Sequence, residues 1–116
     1  MNKIQKLGCA CEKPTSNYTE YRSSALGIDH TDGRNAEVSV QQCKLCQRIW
    51  IHYCIEFENV PQSERWYKGI VSKKDRPQIS PENAVEFLEN LDWYVYGGSF
   101  FESTGTFGQG KLNVSL

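Results

Sequence analysis

Apolar and polar side chains alternate most clearly in the middle of the chain. Between residues 47 and 58, one face of the pattern is apolar and the other is mixed. The apolar set is Ile49, Ile51, Tyr53, Ile55 and Phe57, and the mixed set is Trp50, His52, Cys54, Glu56 and Glu58. This period of two predicts a β-strand with two different faces. Residues 37–41, 65–72 and 92–96 predict further strands, because they alternate or are rich in aromatic and β-branched side chains.

A change of period predicts one helix over residues 80–91. Ser80 is suited to the N-cap and Pro81 to the first helical position. The apolar residues that recur at helical spacing are Ala84, Val85, Leu88 and Leu91. These four residues predict the buried face of a helix that packs on the sheet.

Two segments lack such a pattern. Residues 12–36 are polar and rich in turn formers, which predicts a long loop with a short helical turn near residues 18–26. Residues 103–116 are rich in Gly, Ser and Thr, which makes them a candidate flexible tail.

Composition limits what such a chain can do. A length of 116 residues fits a single domain over residues 1–116, and 39% hydrophobic residues predict a modest core that a metal could support. The net charge of -1 is not the electrostatic signature of a nucleic-acid-binding protein. The one local concentration of positive charge is Lys68, Lys73, Lys74 and Arg76.

Four of the five cysteines form two tight pairs, Cys9-Ala10-Cys11 and Cys43-Lys44-Leu45-Cys46. Two loops that each offer two thiolates can complete the tetrahedral site that Zn²⁺ prefers, although a disulfide within either pair remains an alternative. His30 is a candidate to replace one cysteine of the first pair. Cys54 is excluded, because eight residues of extended strand would separate it from Cys46 by about 26 Å. His52 fails the same distance test.

Residues 9–57 resemble the zinc-ribbon family, in which two cysteine turns share one Zn²⁺. The one-residue spacer between Cys9 and Cys11 and the presence of Gln47, where a glycine is common, depart from that family. The resemblance implies a structural Zn²⁺ held by Cys9, Cys11, Cys43 and Cys46. The expected fold class is therefore α+β, with a zinc-ribbon-like hairpin that extends into a three- to four-stranded antiparallel sheet with one packed helix.

The expected function is that of a small non-catalytic protein with structural zinc that binds another protein. The candidate partner surface consists of Trp50, His52, Glu56, Glu58 and Trp66. One alternative is a nucleic-acid-binding zinc ribbon that contacts phosphates through the four basic residues, and another is a small metalloenzyme that uses His30 or His52 with cysteines. The N-terminal residues form no apolar signal or membrane segment, so a cytoplasmic location without membrane contact is expected.

Overall fold

The computed structural model describes residues 21–57 and 60–114, and these residues form a single antiparallel sheet. The spatial order of its six strands follows the order in sequence, with each strand antiparallel to the one before it. The strands are β1 (Tyr21–Asp29), β2 (Ala36–Cys43), β3 (Ile49–Ile55), β4 (Arg65–Val71), β5 (Tyr94–Gly98) and β6 (Ser103–Gly108).

The prediction of an α+β fold, with a zinc-ribbon-like hairpin leading into a three- to four-stranded sheet, is therefore wrong, because the described residues are mostly β with one short helix. β2 and β3 do form a hairpin with the Cys43–Cys46 turn between them, but it is one link in a continuous meander of six strands. β1 lies in the segment that was expected to be a loop with a helical turn. Only its two terminal residues, Tyr21 and Asp29, are buried, so β1 lacks the alternation of a half-buried strand.

The sixth strand was missed for a related reason. β6 lies within residues 103–116, which were expected to be a candidate flexible tail, and none of its residues is fully buried. Backbone pairing with β5 defines it, for example between Val95 and Phe107. Farther along the same segment, Leu112 and Val114 are buried in the core.

The helix begins at the predicted place but is shorter than predicted. A 3₁₀ turn, Pro81–Asn83, leads into α1 (Ala84–Glu89). The backbone N–H of Ser80 donates a hydrogen bond to the side-chain oxygen of Asn83 at 2.7 Å, which stabilises this start. Leu88 of α1 and Leu91 just after it pack against β4 at Gly69, where a Cβ atom would overlap with Leu91. Glycine therefore lets the helix lie close to the sheet.

Buried residues form one cluster on each face of the sheet. The cluster beneath α1 contains the predicted apolar set of β3 from Ile49 to Ile55, together with Ala84, Leu88 and Leu91. The cluster on the opposite face contains Tyr21, Cys43, Trp50, Ile70 and Val95, with Cys46, Trp66 and Trp93 packed against it. The alternation predicted along β3 is thus confirmed for its side chains from Ile49 to Ile55.

A buried polar network joins the end of β1 to β3. The hydroxyl of Tyr53 donates a hydrogen bond to Oδ2 of Asp29 at 2.7 Å, and Arg34 pairs with the same carboxylate at 3.3 Å. Burial alone would raise the pKa of Asp29, but hydrogen bonds from Thr31 and Tyr53 and the charge of Arg34 bring it below its ordinary value. Asp29 is therefore ionised and fully paired inside the protein.

Candidate functional site

The second cysteine pair lies in the turn between β2 and β3. The backbone N–H of Cys43 donates to the carbonyl oxygen of Arg48 at 2.8 Å, and the N–H of Gln47 donates to the carbonyl oxygen of Cys43 at 2.9 Å. Gln47 adopts a left-handed conformation with φ of 66°, at the position where zinc ribbons commonly have glycine. Cys43 is fully buried and Cys46 half-buried beside the same cluster, so both lie on the face opposite α1.

The structure does not bring the other candidate ligands to this turn. Cys9 and Cys11 lie outside the described residues. His30 follows β1 at the opposite end of the sheet, about 23 Å from Cys43 along β2, and its ring contacts the side-chain oxygen of Asn35 at 3.2 Å. Within residues 21–57 and 60–114, no three side chains of His, Cys, Asp or Glu are grouped closely enough to hold a metal ion.

Trp50 does not belong to an exposed surface, although its place in the mixed set of β3 suggested one. Its side chain has no solvent exposure and packs edge-on against Trp93, with ring centroids 6.0 Å apart. The ammonium group of buried Lys68 lies 4.9 Å from the centre of the Trp50 ring. Burial also removes Lys68 from the predicted set of phosphate-binding residues. Glu58 lies outside the described residues.

Trp66 is the half-buried aromatic residue at the centre of the remaining surface. Its neighbours across the sheet are Cys54 on β3 and Gly97 on β5. The indole ring lies over Gly97, since a Cβ atom there would approach the ring to 2.7 Å. The imidazole of His52 lies nearly parallel to the indole and offset from it, with ring centroids 6.3 Å apart and an interplanar angle of 18°. The result is a flat aromatic platform across β3, β4 and β5.

His52 is uncharged at neutral pH in this arrangement. Burial, and secondarily the positive charge of Lys68 beside it on β4, lowers the pKa of His52 to about 4. The platform therefore presents neutral rings, and its charges come from the residues around it.

Glutamates surround the platform. Burial raises the pKa of Cys54 to about 11, and the nearby carboxylates of Glu64, Glu37 and Glu56 contribute in the same direction. The thiol of Cys54 is therefore protonated at neutral pH and is a poor nucleophile. No hydrogen bond or ion pair joins these three carboxylates to other described side chains.

A shallow groove of about 480 Å³ runs beside the platform, between the start of β4 and the turn that joins β5 to β6. The residues that line it include Trp66, Glu64, Glu102 and Gly98. Of the predicted partner surface, His52, Glu56 and Trp66 thus lie together. Sequence reasoning missed Glu64, although it lies only two residues before Trp66. It also missed Glu102 and Gly97, which only the pairing of the strands brings next to Trp66.

A second cavity, of about 250 Å³, lies beneath the C-terminal segment and is lined by Tyr67, Tyr94, Tyr96 and Phe101. The hydroxyl of Tyr67 donates to the carbonyl oxygen of Asn113 at 2.7 Å and accepts from its N–H at 3.1 Å. Tyr67 therefore already binds the C-terminal segment of the protein. The groove beside Trp66 is the stronger candidate for binding a partner.

Comparison with protein-family models, with curated proteins and with solved structures gave no match. Among the residues that the structure describes, no helix has the length and apolar character needed to cross a membrane. The features of the described residues that bear on function are the surface around Trp66 and the cysteine turn.

Proposed function

We propose that this chain is a small non-catalytic module that binds another protein through the surface around Trp66. The observation that carries the proposal is the position of Trp66, a half-buried ring stacked on a neutral His52 and bordered by Glu64 and Glu102. Tryptophan is enriched among the residues that dominate binding energy at protein interfaces. A half-buried ring already has much of its side chain fixed, so it loses little freedom when a partner covers it.

The partner that fits this surface is a positively charged segment. An arginine or lysine side chain placed over the indole would gain a cation–π interaction, which contributes about 0.5–1 kcal/mol at an exposed site. The carboxylates of Glu64 and Glu102, two of the residues that line the groove, would pair with the same or with neighbouring cations. Charge complementarity of this kind increases specificity and the rate of association more than affinity.

A structural Zn²⁺ held by Cys9, Cys11, Cys43 and Cys46 is part of the proposal. Cys43 and Cys46 lie on one side of a closed turn, and Gln47 adopts the left-handed conformation that often follows such a cysteine pair. The ion would cross-link the segment that carries Cys9 and Cys11 to the turn between β2 and β3. Zinc binding needs reduced thiols, which fits a cytoplasmic protein. Measurement of bound zinc per chain, in the parent and in Cys43→Ser, tests this part. One zinc in the parent that is lost in the variant supports it, whereas metal-free reduced protein contradicts it.

The alternatives find less support. A metalloenzyme would need His30 or His52 beside the cysteines, but His30 lies at the opposite end of the sheet and His52 is stacked on Trp66. Phosphate binding would use the basic residues after β4, and the burial of Lys68 reduces that set to Lys73, Lys74 and Arg76.

The decisive experiment follows the indole N–H signals of the three tryptophans by NMR while a hexa-arginine peptide is added. Trp66→Phe assigns the signal of Trp66. We expect the chemical shift of the Trp66 indole N–H to change and then level off as peptide is added. The signal of buried Trp50 should not shift, and hexa-glutamate should have no effect on either signal. Glu64→Gln combined with Glu102→Gln should weaken binding about tenfold.

The matched control is Glu82→Gln combined with Glu86→Gln, which removes two exposed carboxylates near α1 and should leave the affinity unchanged. An unmoved Trp66 signal at saturating peptide, or equal weakening by both double variants, would contradict the proposal.

A further inference from the structure

The meander places an acidic cluster and a basic cluster at opposite ends of the sheet. In an antiparallel sheet whose strands follow sequence order, successive loops lie at alternate ends. The loops β1–β2, β3–β4 and β5–β6 therefore share one end, about 20 Å along β4 from the loops that follow β2 and β4. The small net charge of -1 hides this division.

The first end is acidic. Its exposed or half-buried carboxylates belong to Asp32, Glu37, Glu56, Glu64 and Glu102. The positive charges at this end are already engaged, because Arg34 pairs with Asp29 and Asp32 and the Arg65 side chain is buried over the Phe100 ring at 3.8 Å. The groove beside Trp66 opens at this acidic end.

The loop that follows β4 at the opposite end carries a basic cluster. Lys73, Lys74 and Arg76 are exposed there with Asp75 among them, and the acidic residues Glu82, Glu86, Glu89 and Asp92 come later in the same connection to β5. No hydrogen bond or ion pair joins the side chains of Lys73 and Lys74 to other described residues. The Cys43–Cys46 turn is adjacent to this loop, since Ile49 pairs with Val71.

Leu45 projects from that turn. It is 62% exposed, the highest value among the large apolar residues that the structure describes. Leu45 is an apolar side chain on a turn whose neighbouring loop carries two exposed lysines, and this combination suits an acidic groove lined by an aromatic ring.

We propose that the groove beside Trp66 receives the Leu45 turn of a second copy of this chain. Leu45 would cover the indole of Trp66, and Lys73 and Lys74 of one copy would face Glu64 and Glu102 of the next. This inference rests on the proposed function, because it names a partner for the same surface. The low net charge favours it, since two copies do not repel each other strongly.

The geometry of this contact determines the kind of assembly. Two different surfaces of the chain meet, so the contact is heterologous and each added copy leaves one groove and one turn exposed for the next. A single turn in a shallow groove covers less area than a stable interface needs, so association is weak and reversible. The assembly grows with protein concentration and dissociates at high salt, because exposed ion pairs are screened.

Sedimentation velocity from micromolar to millimolar protein at low salt tests the proposal. The weight-average sedimentation coefficient should rise with concentration and should stop rising at high salt. Leu45→Ser should weaken association at least tenfold, whereas Leu45→Met, which keeps an apolar side chain, should preserve it. Constant sedimentation of the parent over the whole range would overturn the proposal.

Paired charge reversal gives a sharper test. Glu64→Lys with Glu102→Lys gives the groove beside Trp66 the same charge as the Lys73–Lys74 loop, and Lys73→Glu with Lys74→Glu gives that loop the same charge as the groove. Neither double variant should associate alone, and an equimolar mixture of the two should associate. A mixture that stays monomeric while the parent associates would place the contact elsewhere and overturn the proposal.

The same variants separate this inference from the proposed function. If hexa-arginine binds at Trp66 but the parent does not associate, the second copy is the wrong partner and the proposed function stands. If neither occurs, both fail. If Lys73→Glu with Lys74→Glu abolishes binding of a single-stranded oligonucleotide and the parent does not associate, the basic cluster is a nucleic-acid site and the inference is overturned.

Discussion

The two faces of the sheet are made by the same strands but are built from different chemistry. The face beneath α1 is filled by aliphatic and tyrosine side chains that pack against Ala84, Leu88 and Leu91. The opposite face places buried Lys68 beside Trp50 and leaves His52 and Trp66 half-buried. The first face therefore supports the fold through dense packing, whereas the second face combines a small core with a surface that is suited to binding a partner.

The largest expected effect tests the packing role of the first face. Leu88 has no solvent exposure and lies against Gly69 of β4. Leu88→Ala would leave a cavity between helix and sheet and should lower the free energy of unfolding by about 2–5 kcal/mol. Urea denaturation measures this loss. Val85→Ala, at a half-buried position of the same helix, is the control and should cost clearly less. Equal losses for the two variants would show that α1 does not pack as described.

A smaller effect concerns the opposite face and depends on pH. The pKa of His52 is lowered from 6.5 to about 4, so between these values the unfolded chain binds a proton that the folded protein does not. Stability is therefore complete above about pH 6.5 and decreases as the pH falls toward 4. The loss amounts to at most about 3 kcal/mol, because each pKa unit corresponds to about 1.4 kcal/mol.

Urea midpoints measured between pH 7.5 and about 4.5 check this dependence. His52→Asn should flatten the curve over this range, and His30→Asn, which removes the other histidine, serves as the control for the substitution itself. If the urea midpoint of the parent does not change with pH over this range, burial does not lower the pKa of His52. The contrast between the two faces would then weaken.

The contrast also explains what sequence could predict. The prediction of strand β3 was correct because its apolar side chains recur with a strict period of two and are of types that favour strands. β1 and β6 were missed because edge strands are held mainly by backbone pairing, which leaves no apolar pattern to detect. Periodicity also assigned Trp50 to one face of the sheet, but it does not show whether that face is covered. Trp50 was therefore predicted to lie on a surface, although it is buried.

The candidate site shows the same limit. His52, Glu56 and Trp66 were named from their own strands, because alternation alone places them on one side. Glu102 could not be found in this way, since its approach to Trp66 depends on the register of β4 with β5 and on the turn before β6. Glu64, two residues before Trp66, was open to the same argument from alternation and was missed. Register follows from the packing of the whole sheet, which a single strand does not encode.

The smallest predicted effect tests whether polar chemistry also stabilises the face beneath α1. Tyr53 lies in that apolar cluster, yet its hydroxyl donates to buried Asp29 at 2.7 Å. Tyr53→Phe keeps the ring and removes this donor, so Asp29 retains Arg34 and the hydrogen bonds from Thr31. The loss in the free energy of unfolding should be about 1–2 kcal/mol, because a buried charge loses one of its partners.

Tyr96→Phe is the matched control for this change. The Tyr96 hydroxyl makes no hydrogen bond with other described residues, so its removal should alter the urea midpoint very little. If Tyr53→Phe is as mild as Tyr96→Phe, the Asp29 network adds little to stability and this face is held by apolar packing alone. If Tyr53→Phe lowers the stability more than Tyr96→Phe does, each face depends on a buried charge, Asp29 on one face and Lys68 on the other. The two faces then differ in solvent exposure rather than in polarity.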